Sequence, residues 1–178
     1  DASLPLTDHA VFRHSVGTFA SLMGSLRELR LEGCHLALGH AIVLANAMHG
    51  AAGGPRLLRL RALSVANNPQ LGRVVSAGAF IADRWAAEAS ARCDAGEFCG
   101  LTVLATAIAA ATTPRQHAHT IHGGARESSS QFEASRQGLR SLSIASCELR
   151  GALVCAVIQC LTGSDVRALD LSHNTMTT

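Results

Sequence analysis

The segment LRELRLEGCHL from Leu26 recurs, with the same apolar skeleton, as LRALSVANNPQL from Leu60, LRSLSIASCEL from Leu139 and VRALDLSHNTM from Val166. A skeleton that repeats constrains the fold more than any other feature, because each unit must bury its apolar face against its own neighbours. The copies read as L-x-x-L-x-L-x-x-(N/C)-x-L, with Val, Ile or Met at some apolar positions and one extra residue before Leu71 in the second, a short strand followed by a sharp departure of the backbone. Strand side chains alternate, so Leu29 and Leu31, Leu63 and Val65, Leu142 and Ile144, and Leu169 and Leu171 are expected to face the interior. Three positions beyond the last strand aliphatic stand Cys34, Asn68, Cys147 and Asn174, where the turning chain leaves amide groups without strand partners. Asparagine offers a donor and an acceptor there, and cysteine is compact with a weak donor. Stacked units then share an internal ladder.

The segments after the strands carry helical spacing. ALGHAIVLANAMHG places Ile42, Leu44 and Met48 among alanines, and RGALVCAVIQCL places Leu153, Val157, Ile158 and Leu161 on one stripe. GLTVLATAIAAAT from Gly100, with Leu101, Leu104 and Ile108, is read as the helix belonging to the Leu60 strand. Alternating Asn and Cys with alanine-rich helices resembles the ribonuclease-inhibitor-like subtype of leucine-rich repeat. The resemblance covers about two thirds of the chain and is specific for architecture. It implies an α/β horseshoe solenoid with parallel strands on the concave side and helices on the convex side.

Spacing sets the organisation. Leu26 to Leu60 is 34 positions and Leu139 to Val166 is 27, whereas Leu60 to Leu139 is 79. Residues 1–178 are therefore read as one solenoid segment of about four to five repeats with insertions at 73–99 and 113–138. The first insertion accommodates either a short helix around Phe80, Ile81 and Trp85 or a degenerate extra repeat. The second, rich in Gly and Ser with few aliphatics, reads as a surface loop. Leu4, Leu6, His9 and Val11 mark a weaker first unit, with His9 at the ladder position and Pro5 removing one strand hydrogen bond. A partial unit at one end and a strand without its helix at the other suggest a fragment of a larger protein.

Composition bounds the function. The chain is 48% apolar but 3% aromatic with no tyrosine, so its core must be built from Leu, Ala, Val and Ile. No apolar run approaches the ~20 residues of a spanning helix, and the N-terminal residues lack the order of a secretory signal. These features point to a cytoplasmic protein without membrane contact. Fifteen Lys and Arg nearly balance thirteen acids, and no aromatic-basic cluster accompanies them, which argues against nucleic acid. Cys34 and Cys147 belong to the ladder, Cys155 and Cys160 to an apolar helix, and Cys93 and Cys99 are read as free thiols over a disulfide. Three imidazoles, His117, His119 and His122, are weak zinc candidates with Cys93 or Cys99, but their spacing matches no established finger. Ser128, Ser129 and Ser130 in the same loop are minor candidates for phosphorylation. No G-x-S-x-G elbow or phosphate loop is present, so no catalysis and no cofactor are expected.

The remaining surface is the one between the buried leucines. Alignment stacks Glu28, Ala62, Ser141 and Ala168 in one row, Arg30, Ser64, Ser143 and Asp170 in the next, and Glu32, Ala66, Ala145 and Ser172 in a third. Charges at the ends orient a partner while the small middle lets it approach. The candidate contact residues are Glu28, Arg30, Glu32, Ser64, Ser141, Ser143, Asp170 and Ser172, for a partner protein. The resemblance also implies an alternative, a regulator of enzyme activity through GTPase activation or enzyme inhibition, and the histidine loop implies a second, a zinc-binding module.

Overall fold

Four short strands pair in parallel: β1 (Glu28–Arg30), β2 (Ala62–Ser64), β5 (Ser141–Ser143) and β6 (Ala168–Asp170), in the order β1-β2-β5-β6. This computed structural model describes residues 26–49, 59–76, 83–93, 97–112 and 138–175. Glu28 aligns with Ala62, Ser141 and Ala168, and Arg30 with Ser64, Ser143 and Asp170, the register that superposing the copies predicts. Parallel neighbours need a crossover of a dozen or more residues. Helices α1 (Leu38–His49), α3 (Gly100–Thr112) and α4 (Gly151–Leu161) stand in these connections, and α3 packs between α1 and α4. The chain is therefore α/β, with its helices packed in the same order as its strands.

Burial follows the period of two. Leu63 and Leu142 on the inner strands, with Val65 and Ile144 just after them, are buried, whereas Leu29 and Leu169 on the outer strands, with Leu31 and Leu171 just after them, are only half-buried against the same core. Helix α3 is buried all round from Leu101 to Ala109, which suits a helix whose only polar side chains there are Thr102 and Thr106. Its first turn is tied by Thr102 Oγ1, which accepts the Cys99 amide at 3.0 Å and donates to the Cys99 carbonyl at 2.8 Å. Ile158 and Cys155 of α4 are exposed, so the buried stripe of that helix runs through Leu153, Val157, Cys160 and Leu161. Ile158 is a departure from the stripe expected of the sequence.

The ladder is a chain of side-chain bonds to the preceding strand. Asn68 Nδ2 donates to the carbonyls of Leu31, Val65 and Ala66 at 2.8, 2.8 and 3.0 Å, and Oδ1 accepts the Leu36 amide at 2.9 Å. Cys147 Sγ donates to the Val65 carbonyl at 3.3 Å. Asn174 Nδ2 donates to the Ile144 and Leu171 carbonyls at 2.9 Å each, while Oδ1 accepts the amides of Cys147 and Leu149. Cys34 is exposed and reaches only the Glu32 carbonyl, at 3.5 Å, because no described strand flanks β1 on that side. Immediately before each ladder residue the backbone is left-handed, with φ of 64° at Gly33, 57° at Asn67, 52° at Ser146 and 58° at His173. This conformation turns the chain off the strand and towards the helix.

Residues 73–99 hold folded elements of their own. A 3-10 turn (Pro69–Gly72) leads into β3 (Val75–Ser76), which pairs antiparallel with β4 (Glu97–Phe98) across α2 (Arg84–Arg92). Helix α2 begins at Asp83, whose carboxylate accepts the amides of Trp85 and Ala86. It buries Trp85, Ala86 and Ala89 against α3, with further contacts to α1 and α4. Trp85 Nε1 donates to Asn46 Oδ1 at 3.1 Å, its ring lies 4.2 Å from that of His49, and the His49 ring nitrogen meets the Ala107 carbonyl at 2.8 Å. Of Phe80, Ile81 and Trp85, around which a short helix is expected, Trp85 lies in α2 and the other two lie outside the described residues. The weak first unit at Leu4, Leu6, His9 and Val11 lies outside the described residues, as does nearly all of the 113–138 insertion.

Candidate functional site

Opposite the helices, the sheet presents the residues that alternate with the buried aliphatics. All eight predicted contact residues lie there. Glu28 and Arg30 are on β1, Ser64 on β2, Ser141 and Ser143 on β5 and Asp170 on β6, with Glu32 and Ser172 in the turns that follow the outer strands. Backbone bonds carry the alignment past the strands, since Gly33 donates to Ala66, Asn67 to Ala145 and Ser146 to Ser172. Ala62 and Ala145 are half-buried and Ala66 buried, so the centre of the face is low and its charged ends stand out.

At one end Arg30 Nε donates to Glu28 Oε1 at 2.6 Å, both side chains being largely exposed. That bond, with the nearby Glu28 charge, raises the Arg30 pKa. An exposed pair of this kind adds little to stability. At the other end Asp170 accepts the Ser172 amide at 3.0 Å and the Ser143 hydroxyl at 3.0 Å. The donors from Ser172 and then Ser143 hold its carboxyl below the ordinary Asp range, so the carboxylate is fixed in place and charged at neutral pH. Between these ends the Ser64 hydroxyl is buried and finds no hydrogen-bond partner.

One row was missed by reading alternate residues alone. Arg27, Arg61, Arg140 and Arg167 each precede a strand, and the carbonyls of the first three accept two amides apiece from the next strand, fixing all four in register. Arg27, Arg140 and Arg167 are exposed, while Arg61 is half-buried with Nη1 covered and unpartnered. The signal was present in the sequence, since an arginine follows the first apolar residue of every copy. It falls between two apolar skeleton positions, outside the alternation that defines the open face.

The other candidates are not brought to this face. His117, His119 and His122, and with them Ser128 to Ser130, lie outside the described residues. Cys93 and Cys99 are both buried, and burial pushes the Cys99 pKa up. Among the described residues no cluster of three or more His, Cys, Asp or Glu is placed to hold a metal ion. None of the described helices is long and apolar enough to cross a membrane. No protein-family model matches the chain, and a comparison with curated proteins returns no match.

Proposed function

We propose that this chain is a recognition segment that binds another protein across the open face of its sheet, with no catalysis of its own. The observation that carries the reading is the four-stranded parallel sheet with one face in the core and the other formed by aligned rows of small and charged residues. A low centre admits a partner's backbone or helix, and fixed charges at Glu28–Arg30 and Asp170 set its orientation. On this reading the units form a leucine-rich-repeat horseshoe of the ribonuclease-inhibitor-like subtype, the open face is its concave side, and the protein works in the cytoplasm. The ladder bonds of Asn68, Cys147 and Asn174 support it, because each ties a turn to the preceding strand as stacked repeats require.

The test is affinity capture from cell lysate with the full chain, beside a face variant carrying Glu28→Ala, Arg30→Ala, Ser143→Arg and Asp170→Arg. Proteins recovered by the native chain and lost with the face variant, both folded by circular dichroism, are the expected result. Equal recovery with both would remove the sheet face as the working surface.

A further inference from the structure

We propose that Arg27, Arg61, Arg140 and Arg167 form a carboxylate-binding rail that receives the acidic stripe of a helix from the partner protein. This names the partner's chemistry along the edge where the strands of that sheet begin, beside the face just described, and it rests on that reading.

The four arginines stand side by side because each carbonyl in the series accepts the amide of the next: Arg61 on Arg27, Arg140 on Arg61, and Arg167 on Arg140. Among the described residues no carboxylate answers them, the two ion pairs there being Arg30–Glu28 and Arg92–Glu88. Four like charges held in register repel one another, and an anionic partner relieves that repulsion. Arg61, in the interior of the row, has Nη1 covered and without an acceptor. A guanidinium donor left unmade is costly, and a carboxylate that draws it outward removes the cost.

Spacing selects the partner's form. Neighbouring strands lie ~4.8 Å apart, so the row spans about 14 Å from first strand to last. Glutamates at i, i+4, i+7 and i+11 of a helix cover about 16 Å on one face, nearly one carboxylate per strand. In an extended peptide, same-side residues recur only every ~6.6 Å and fall out of step with the strands. Single-stranded nucleic acid would need aromatic platforms beside the cations. The described aromatic residues Trp85 and Phe98 are instead buried in the core.

The test uses the full chain and a fluorescein-labelled helical peptide with glutamates at i, i+4, i+7 and i+11, beside its glutamine counterpart and a short oligothymidine. Fluorescence anisotropy is read at low and physiological salt. The expected result is binding of the glutamate peptide alone, weakened at least about tenfold when Arg27, Arg140 and Arg167 are replaced by Gln. Arg61→Gln, which also removes the covered guanidinium, is expected to weaken binding by about the same factor. Should the triple variant melt early, Arg140→Lys with Arg167→Lys keeps the charge but loses the planar fork, and weaker binding is expected there too. Equal binding of the glutamate and glutamine peptides, or binding indifferent to every arginine variant, overturns the rail. Tighter binding of oligothymidine through the same arginines assigns the row to nucleic acid and overturns the helix. The two readings fail separately because the face variant keeps all four arginines: peptide binding retained there and lost in the arginine variant supports the rail whatever the lysate yields.

Discussion

Asn68 shows how much of this fold depends on single polar groups. It is fully buried, and its amide joins the turn after β2 to the strand and turn of the unit before it. Truncation to Ala leaves buried carbonyls and the Leu36 amide without partners, which costs about 3 kcal/mol. Asn174 makes the equivalent bonds at a half-exposed site where water can replace them, so Asn174→Ala is expected to cost about 1 kcal/mol. Urea denaturation of the two variants checks the difference, and equal losses would contradict the burial of Asn68. Asp170 offers a second test at this scale. Its folded pKa is depressed, so its contribution to stability is present above the unfolded value, ~3.9, and is lost as pH falls through the folded one. The group is exposed, and the clean readout is its own titration by NMR. Ser143→Ala removes one donor and is expected to move the Asp170 pKa upward, towards but not up to the ordinary value, because the Ser172 amide remains. An unchanged titration would mean that the hydroxyl does not hold the carboxylate.

Elements differ in how far local residues announce them. The strands of the sheet, three residues each, were legible because the spacing of Leu29, Leu63, Leu142 and Leu169 within their copies fixes both register and inward face. Helix α3 was legible from its apolar spacing, although not that it would be covered on every side. The pair β3 and β4 was not, since Val75–Ser76 and Glu97–Phe98 are two-residue strands far apart in sequence with no alternation to read. Tertiary burial of Phe98 and Trp85 accompanies that pairing, and a hydrophobic pattern in sequence does not say which surfaces will meet. The arginine row was open to view yet unused, because its position has no place in the strand period. The strand register carries its own prediction. Leu142 is 2% exposed, and Leu142→Asp puts an unpaired carboxylate into the core, so loss of folded signal by circular dichroism is expected. Arg30→Ala, on the opposite face of β1, is expected to leave the melting temperature within a degree or two. A folded Leu142→Asp variant would mean that the strand faces are assigned the wrong way round.

Across the whole molecule, stability should grade from the middle of the sheet outward. β2 and β5 have a strand on each side and bury Leu63 and Leu142, whereas β1 and β6 are outermost among the described strands, with Leu29 and Leu169 half-buried. The helices repeat the pattern: α3 lies between α1 and α4 with α2 packed on it as well. A strand paired on one side only shares less buried contact, so β1 and β6 are expected to open before β2 and β5. Large-to-small substitution reads the grade directly, because its cost rises with the number of atoms that packed against the missing methyls. Leu63→Ala and Leu142→Ala are expected to cost about 3 kcal/mol each, and Leu29→Ala and Leu169→Ala about half of that. Amide hydrogen exchange gives the same order without mutation: amides that bond between β2 and β5, such as Arg140 and Ser141 on the Arg61 carbonyl, should exchange more slowly than Arg167 and Ala168, which bond β6 to β5. Uniform protection across all four strands would show that the outer strands are covered in solution, and would move the search for a partner from the open face to the ends of the sheet.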